Sequence, residues 1–168
     1  VTSRQGPGIE IREATLADVD RLVELLVAVA GEGRWIGTEA PVDRDRRRRR
    51  MVEEVEGEHA IVLVAEADGE LVGELGLQLA RYGVADLGML VAAGWRGRGV
   101  GAALLAEAVD RARKAGAHKI ALQVWPHNAA AIALYERFGF EREGYLRRHY
   151  RRRSDELWDA IVMGLRLD

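Results

Sequence analysis

The stretch Arg96-Gly97-Arg98-Gly99-Val100-Gly101-Ala102 sets three glycines and two arginines between an apolar run, Leu87 to Val91, and a helix-forming stretch, Ala102 to Ala115. A glycine-rich turn from strand to helix lets bare backbone N–H groups crowd around an anion that side chains would keep away. The first turn of a helix adds unpaired donors and the positive end of the dipole. Arg96 and Arg98 add charge and forked donors. This is the chemistry of a diphosphate cradle.

Two nucleotide readings of the turn fail on their own terms. Gly97-x-Gly99-x-x-Ala102 matches a loose dinucleotide fingerprint, but a Rossmann site wants a carboxylate about 20 residues on. Ala117, His118 and Lys119 stand there instead. A P-loop needs Gly-Lys-Ser/Thr, which is missing. The bland alternative is a tight strand–helix connection that holds nothing.

A second constellation runs from Asn128 through Ala131 and Tyr135 to Phe138-Gly139-Phe140, after the strand-like Leu122-Gln123-Val124. Asn128 suits a helix N-cap. Tyr135 falls two helical turns later on roughly the same face. Its plain role is aromatic packing between helix and sheet.

Periodicity supplies the elements that must carry these groups. Ile9 to Arg12 alternates as a first strand. Thr15 reads as an N-cap for a helix whose Leu22, Leu25, Leu26 and Val29 share a face and which Gly31 and Gly33 end. Asp43 caps a second helix through about Glu56, carrying the run Arg46 to Arg50. Ala60 to Ala65 and Leu71 to Leu79 are strands joined at Asp68-Gly69, with a further turn at Gly83. Asp86 to Val91 and Lys119 to Val124 flank the glycine-rich helix as a parallel pair. Phe140 to Tyr150 and Glu156 to Leu165 close the chain as two strands. The order β-α-α-β-β-β-α-β-α-β-β predicts a single three-layer α/β/α domain over residues 9–168, on a mixed, mostly antiparallel sheet, with residues 1–8 as a flexible lead.

Composition fits one globular domain: 168 residues, 48 % of them apolar. A formal net charge of −2 argues against a nucleic-acid binder. Without cysteine there is no disulfide or thiolate metal site, and the four histidines show no metal-ligand spacing, so no metal is expected. No apolar run is long enough to span a bilayer and no signal-peptide pattern is present, which makes the cytoplasm the default.

The two motifs together resemble the GNAT (GCN5-related) N-acetyltransferases. Arg96-x-x-Gly99-x-Gly101 is similar to their acyl-CoA-binding turn, and Asn128 to Phe140 to their second cofactor motif. Leu122 to Met163, with Arg147-Arg148-His149-Tyr150 and Trp158 to Met163, resembles the bacterial ribosomal-protein alanine type. The likeness is good over 60–168 and loose over 9–59. It implies a splayed sheet, acetyl-CoA as cosubstrate, transfer to a primary amine (small molecule, amino acid or protein N-terminus) and a homodimer as a common assembly. The alternatives are a domain that binds acyl-CoA without turning it over and, more remotely, a fragment of a dinucleotide-dependent oxidoreductase.

On that resemblance the pantetheine arm pairs with the edge Met89-Leu90-Val91, the diphosphate rests on Arg96 to Ala102, and Asn128 and Ala131 border the arm. Tyr135 is the general acid that protonates the leaving thiolate. The N–H of Leu90 or Val91 is the oxyanion donor. The base is open. Relatives place glutamates where this chain has Gly88 and Gln123, so Asp86 is the first choice and Glu74 the second, with a water chain to a backbone carbonyl as the alternative. Trp35, Ile36 and Glu39 lie in a segment that helps wall the acceptor site in relatives, with Tyr145, Arg147 and Tyr150 as further walls. Glu39 could meet a cationic amine, or be an ordinary loop carboxylate. The arginine clusters 46–50 and 147–153 read as solvated faces offset by nearby acids.

Overall fold

A computed structural model describes residues 3–4 and 8–168. The elements are β1 (Ser3–Arg4), β2 (Ile9–Glu13), α1 (Val19–Gly31), α2 (Arg44–Glu56), β3 (Ala60–Ala67), β4 (Glu70–Leu79), β5 (Val84–Val91), α3 (Val100–Lys114), β6 (Lys119–Val124), α4 (Ala129–Arg137), β7 (Glu141–Arg151) and β8 (Leu157–Arg166). They build one sheet in the order β1-β2-β3-β4-β5-β6-β8-β7. Every neighbouring pair is antiparallel except β5 and β6. No helix among the described residues is long and apolar enough to cross a membrane.

Alternation along β3 creates the three layers. Val62 and Val64 point to one face, where they pack with Val19 and Leu22 of the α1 region and Met51 of α2. Leu63 and Ala65 point to the other, into a core with Leu104, Leu105 and Ala108 of α3 and Ile132 and Tyr135 of α4. α2 buries Met51 and turns the half-buried Arg47 inward to Glu74, while its other arginines stay outside, where they meet acids such as Glu24, Asp20 and Glu54. Its start is set by Asp43, whose carboxylate accepts the Arg46 N–H at 3.0 Å. Asp68 and Gly69 both have positive φ, 51° and 79°, the handedness a two-residue hairpin needs.

Three boundaries shift. Thr15 caps the first helical turn as expected, but that turn is not α-helical. A 3-10 turn, Leu16–Asp18, precedes α1, because the buried Asp18 carboxylate accepts the Thr15 N–H at 2.8 Å and receives Arg12 and Arg21. α3 begins at Val100 rather than Ala102. In the expected lead, Ser3–Arg4 pairs with residues 10–11 of β2 and Gly8 is a turn at φ 94°; the remainder lies outside the described residues.

The feature that matters most is a rupture in the sheet. β5 and β6 pair only over Val84 to Asp86 with Lys119 to Ala121. Beyond that point each strand is held by its outer neighbour alone. β4 follows β5 as far as Val91, and β8 follows β6 as far as Val124. The two strands diverge, leaving a wedge edged by unpaired backbone.

Candidate active site

The wedge opens into a cleft of about 290 Å³ bordered by Met89, Leu90 and Val91 of β5, by Arg96, Gly97 and Gly99 to Ala102 of the turn and α3, and by Asn128, Ala131, Leu134 and Tyr135 of the second motif. Trp35 and Ile36 close it from the α1–α2 loop. The charged side chains on its border, Arg96 and Arg137, are both cationic, which suits an anionic ligand.

The ladder decides which backbone groups face the wedge. Ala92 donates to Val72 and Ala80 to Val84, both bonded positions of the β4–β5 register. Bonded pairs alternate, so Leu90 also turns its N–H and C=O to β4, opposite Glu74. Met89 and Val91 turn theirs to the gap. Of the two donors expected from sequence, only that of Val91 faces the wedge. The Val91 carbonyl already accepts the Arg96 Nε–H at 3.0 Å.

In the turn, the N–H groups of Gly97, Arg98 and Gly99 find no backbone acceptor among the described residues, and those of Val100 to Ala102 belong to the open first turn of α3. Gly97 and Gly99 have φ of 72° and 86°, with nothing where a Cβ would stand. They are needed for backbone handedness and leave free space in front of the amides. Gly101 has a different role. A Cβ there would sit 3.1 Å from Leu134 and 3.5 Å from Met89, so glycine lets α3 approach α4 and the sheet.

The arginines do not simply point into the cradle. Arg96 grips Glu32 through both terminal nitrogens, at 2.6 and 2.7 Å. Arg98 lies over the Trp95 ring at 3.9 Å, outside the cleft border.

Asn128 Oδ1 accepts the Ala131 N–H at 3.4 Å, so it caps α4 while bordering the cleft. The Tyr135 ring packs on Phe140, centroid to centroid 5.5 Å, and its hydroxyl has no hydrogen-bond partner among the described residues. Burial pushes its pKa up to about 12. The group stays protonated at any working pH and keeps a donor free.

The candidate bases separate. Asp86 is exposed and sits on the last rung of the closed β5–β6 pairing, beside Ala121, off the cleft border. The first-choice base therefore lies outside the wedge, which begins one residue later. Glu74 is buried on the α1–α2 face of β4, also off the cleft border, cross-strand from Leu90, with Arg47 at 3.7 Å. Its Oε2 and the Arg47 Nε have no hydrogen-bond partner among the described residues. Desolvation pushes the Glu74 carboxyl up to about 7, with Arg47 opposing and Glu54 assisting.

Glu39 is also corrected. Its carboxylate accepts the Arg153 N–H and lies 3.5 Å from the Arg152 Nε, off the cleft border. Tyr145 bonds Asp159 within the closing hairpin and Tyr150 bonds Gln123, tying that hairpin to β6. Sequence reading missed Val29, Trp95, Ala130, Leu134 and Arg137 on the border. Ala130, Leu134 and Arg137 recur at helical spacing beside Asn128, Ala131 and Tyr135, which is the signal that could have found them.

A family model described as the acetyltransferase (GNAT) family matches residues 23–140. L-amino acid N-acetyltransferase AaaT of Escherichia coli is 38 % identical over 106 residues, covering 60 % of this chain and 65 % of that protein, just under two thirds. Among solved structures, a ribosomal-protein-alanine N-acetyltransferase from Brucella melitensis superposes with a TM-score of 0.84 at 30 % identity, covering 93 % of this chain and 98 % of the other. The Salmonella typhimurium protein yncA, solved with its cofactor acetyl-CoA, gives 0.83 at 25 % identity, covering 96 % and 95 %.

Proposed function

The chain belongs to the acetyltransferase (GNAT) family, and on that premise we propose that it moves the acetyl group of acetyl-CoA to a primary amine by direct attack. The observation that carries this reading is the wedge between β5 and β6, which leads from free strand edges to a turn with free amides. Met89 and Val91 offer the narrow, amide-rich pantetheine arm a strand edge to pair with. The amides of 97–102 suit the diphosphate.

Acetyl-CoA supplies an acyl carbonyl with a thiolate leaving group. The Val91 N–H meets the negative charge that develops on the acyl oxygen as the amine nitrogen bonds to the acyl carbon. Tyr135 donates its proton to the departing sulfur as the C–S bond breaks, and recovers one from solvent. Burial raises the basicity of a thiolate beside it as it raises that of the tyrosine, so donor and acceptor stay matched. Glu74 lies off the cleft border, so it takes the amine proton through water. A carboxyl pushed up to about 7 is half ionised near neutral pH, where general-base catalysis is most effective.

The acceptor is the amine of an amino acid, free or at a protein N-terminus. The names of AaaT and of the Brucella melitensis protein, which specify an L-amino acid and a protein alanine, support this. The test is thiol release from acetyl-CoA against amino acids, alanine-initiated peptides and polyamines. Release with the first two classes is expected. A second reading, an acyl-CoA-binding domain without turnover, is favoured by Gly88 and by Gln123, whose side chain is held by Tyr150. Acetyl-CoA raising the melting temperature while no amine releases thiol is its signature, and would sink the transferase.

A further inference from the structure

Arg152 stands in the turn between β7 and β8, where its N–H donates to the Glu156 carbonyl at 2.8 Å. Its side chain is only 4 % exposed. The guanidinium lies over Trp158, 4.3 Å from the ring centroid, and near Trp125 at 5.4 Å. Those two rings meet edge to face, with Tyr150 and His127 against them. From this aromatic box the fork reaches across the molecule. Nη1 donates to the Gly37 carbonyl at 3.1 Å, Nη2 to Ile36 at 3.4 Å, and Nε faces Glu39 at 3.5 Å.

Among the described residues no backbone–backbone hydrogen bond involves 34–42, so the segment depends on side chains. Side chains hold the loop: Arg152, the His127 contact to the Arg34 carbonyl at 2.7 Å, Glu39 with Arg153, Arg153 with the Pro41 carbonyl at 3.2 Å, and Trp35 with Glu32 at 3.1 Å and the Arg96 guanidinium. Yet Trp35 and Ile36 of this segment border the cleft. A guanidinium cannot shed its charge, and burying one is costly unless it is paired. Leucine or methionine would fill the same aromatic box without that cost. What they lack is a rigid fork that fixes two successive carbonyls.

We propose that Arg152 is a positioning residue that fixes the Trp35–Ile36 wall of the cleft and thereby sets the affinity for the amine. The proposal rests on the acetyltransferase reading for its kinetic consequence, but its structural half is separable.

Arg152→Ala and Arg152→Lys test it. The lysine variant keeps charge and stem without the fork, and reads the fork alone should the alanine variant fail to fold. The amine KM should rise about tenfold, as expected for a displaced binding wall, while calorimetry shows the acetyl-CoA Kd changed less than about twofold. Methylguanidinium at tens of millimolar (about the concentration a weak site needs) should lower the amine KM of Arg152→Ala and leave the wild type unchanged. Tryptic cleavage after Arg34, followed by mass spectrometry, should quicken in both variants. An unchanged amine KM, or an amine KM and acetyl-CoA Kd that rise together, overturns the proposal. If the wild type acetylates no amine, the acetyltransferase reading fails alone. Faster cleavage after Arg34 then still supports the positioning role, and unchanged cleavage removes it.

Discussion

Arg96 and Glu32 form a two-pronged ion pair, Nη1 to Oε1 at 2.6 Å and Nη2 to Oε2 at 2.7 Å, that ties the glycine-rich turn to the end of α1. Trp35 joins them, its Nε1–H donating to Glu32 and its ring 5.5 Å from the Arg96 guanidinium. Arg96 also holds the Val91 carbonyl, so one side chain links the wedge, the turn and the loop that closes the cleft. Arg96 therefore acts on the shape of the site more than on its charge.

The consequence is measurable in Arg96→Gln. If backbone amides carry the diphosphate, acetyl-CoA Kd should weaken by no more than about threefold, since the Arg96 fork is engaged with Glu32 rather than with the phosphates. The amine KM should rise further, because Trp35 loses its anchor. An acetyl-CoA affinity lowered by about a hundredfold, about 3 kcal/mol, would mean that Arg96 leaves Glu32 for the phosphates.

Tyr135→Phe separates chemistry from binding. The phenylalanine ring keeps the packing on Phe140, and the lost hydroxyl has no protein partner to strand. Acetyl-CoA Kd and melting temperature should hold, while kcat falls about 10²–10⁴-fold, the usual worth of a general acid. Undiminished kcat under single-turnover conditions would remove Tyr135 from the mechanism.

The sequence was most legible where chemistry is local. Asp43 marked the start of α2, Asp68-Gly69 the hairpin and Asn128 the cap of α4, each through bonds within a few residues. The glycine turn was legible as a shape, though Gly101 proved to serve helix packing. What failed was set by partners far along the chain. Whether Asp86 or Leu87 is the last closed rung depends on how β4 and β8 pull β5 and β6 apart. Periodicity gives the face of a strand residue and is blind to that. The choice between the Leu90 and Val91 donors stayed open for a related reason, since ladder phase follows the Val72–Ala92 rung. Glu39 meets Arg152 and Arg153 across more than a hundred residues, and no spacing rule links them.

Asp18 offers a stability test away from the cleft. Its buried carboxylate takes Arg12 at 2.7 and 2.9 Å, Arg21 at 2.9 Å and the Thr15 N–H at 2.8 Å. These donors, Arg12 foremost, hold it well below the usual carboxylate range. A depressed folded pKa contributes stability that is full above the unfolded value near 4 and drains as pH falls toward the folded one. Asp18→Asn should cost about 3 kcal/mol in urea unfolding at pH 7. The gap to wild type should narrow as pH drops below 4, and a gap independent of pH would contradict the assigned charge.

Glu74 titrates in the opposite sense, and this gives two readouts from one variant. Its folded pKa, about 7, lies above the ordinary 4.5, so the folded state holds the proton longer. From Glu74, stability should therefore fall as pH rises from about 4.5 to 7 and stay flat beyond, by on the order of 3 kcal/mol. The groups facing it are Arg47 and Glu54 of α2, with Val64 and Leu90 beside it on β3 and β5; the buried residues of α1 are uncharged. Glu74→Gln should abolish that decline while retaining Arg47 against Glu54 at 3.7 Å. In catalysis the sign reverses, because the base must be ionised. The wild-type kcat should climb with pH through about 7 and level off, and Glu74→Gln should lose at least about tenfold at the plateau, the low side of general-base effects. The titration of the amine, near 8 for an α-amino group, is common to both proteins and cancels in their ratio. If the ratio is flat across pH while the stability difference still appears, Glu74 is a buried carboxyl of the fold and the amine loses its proton to water.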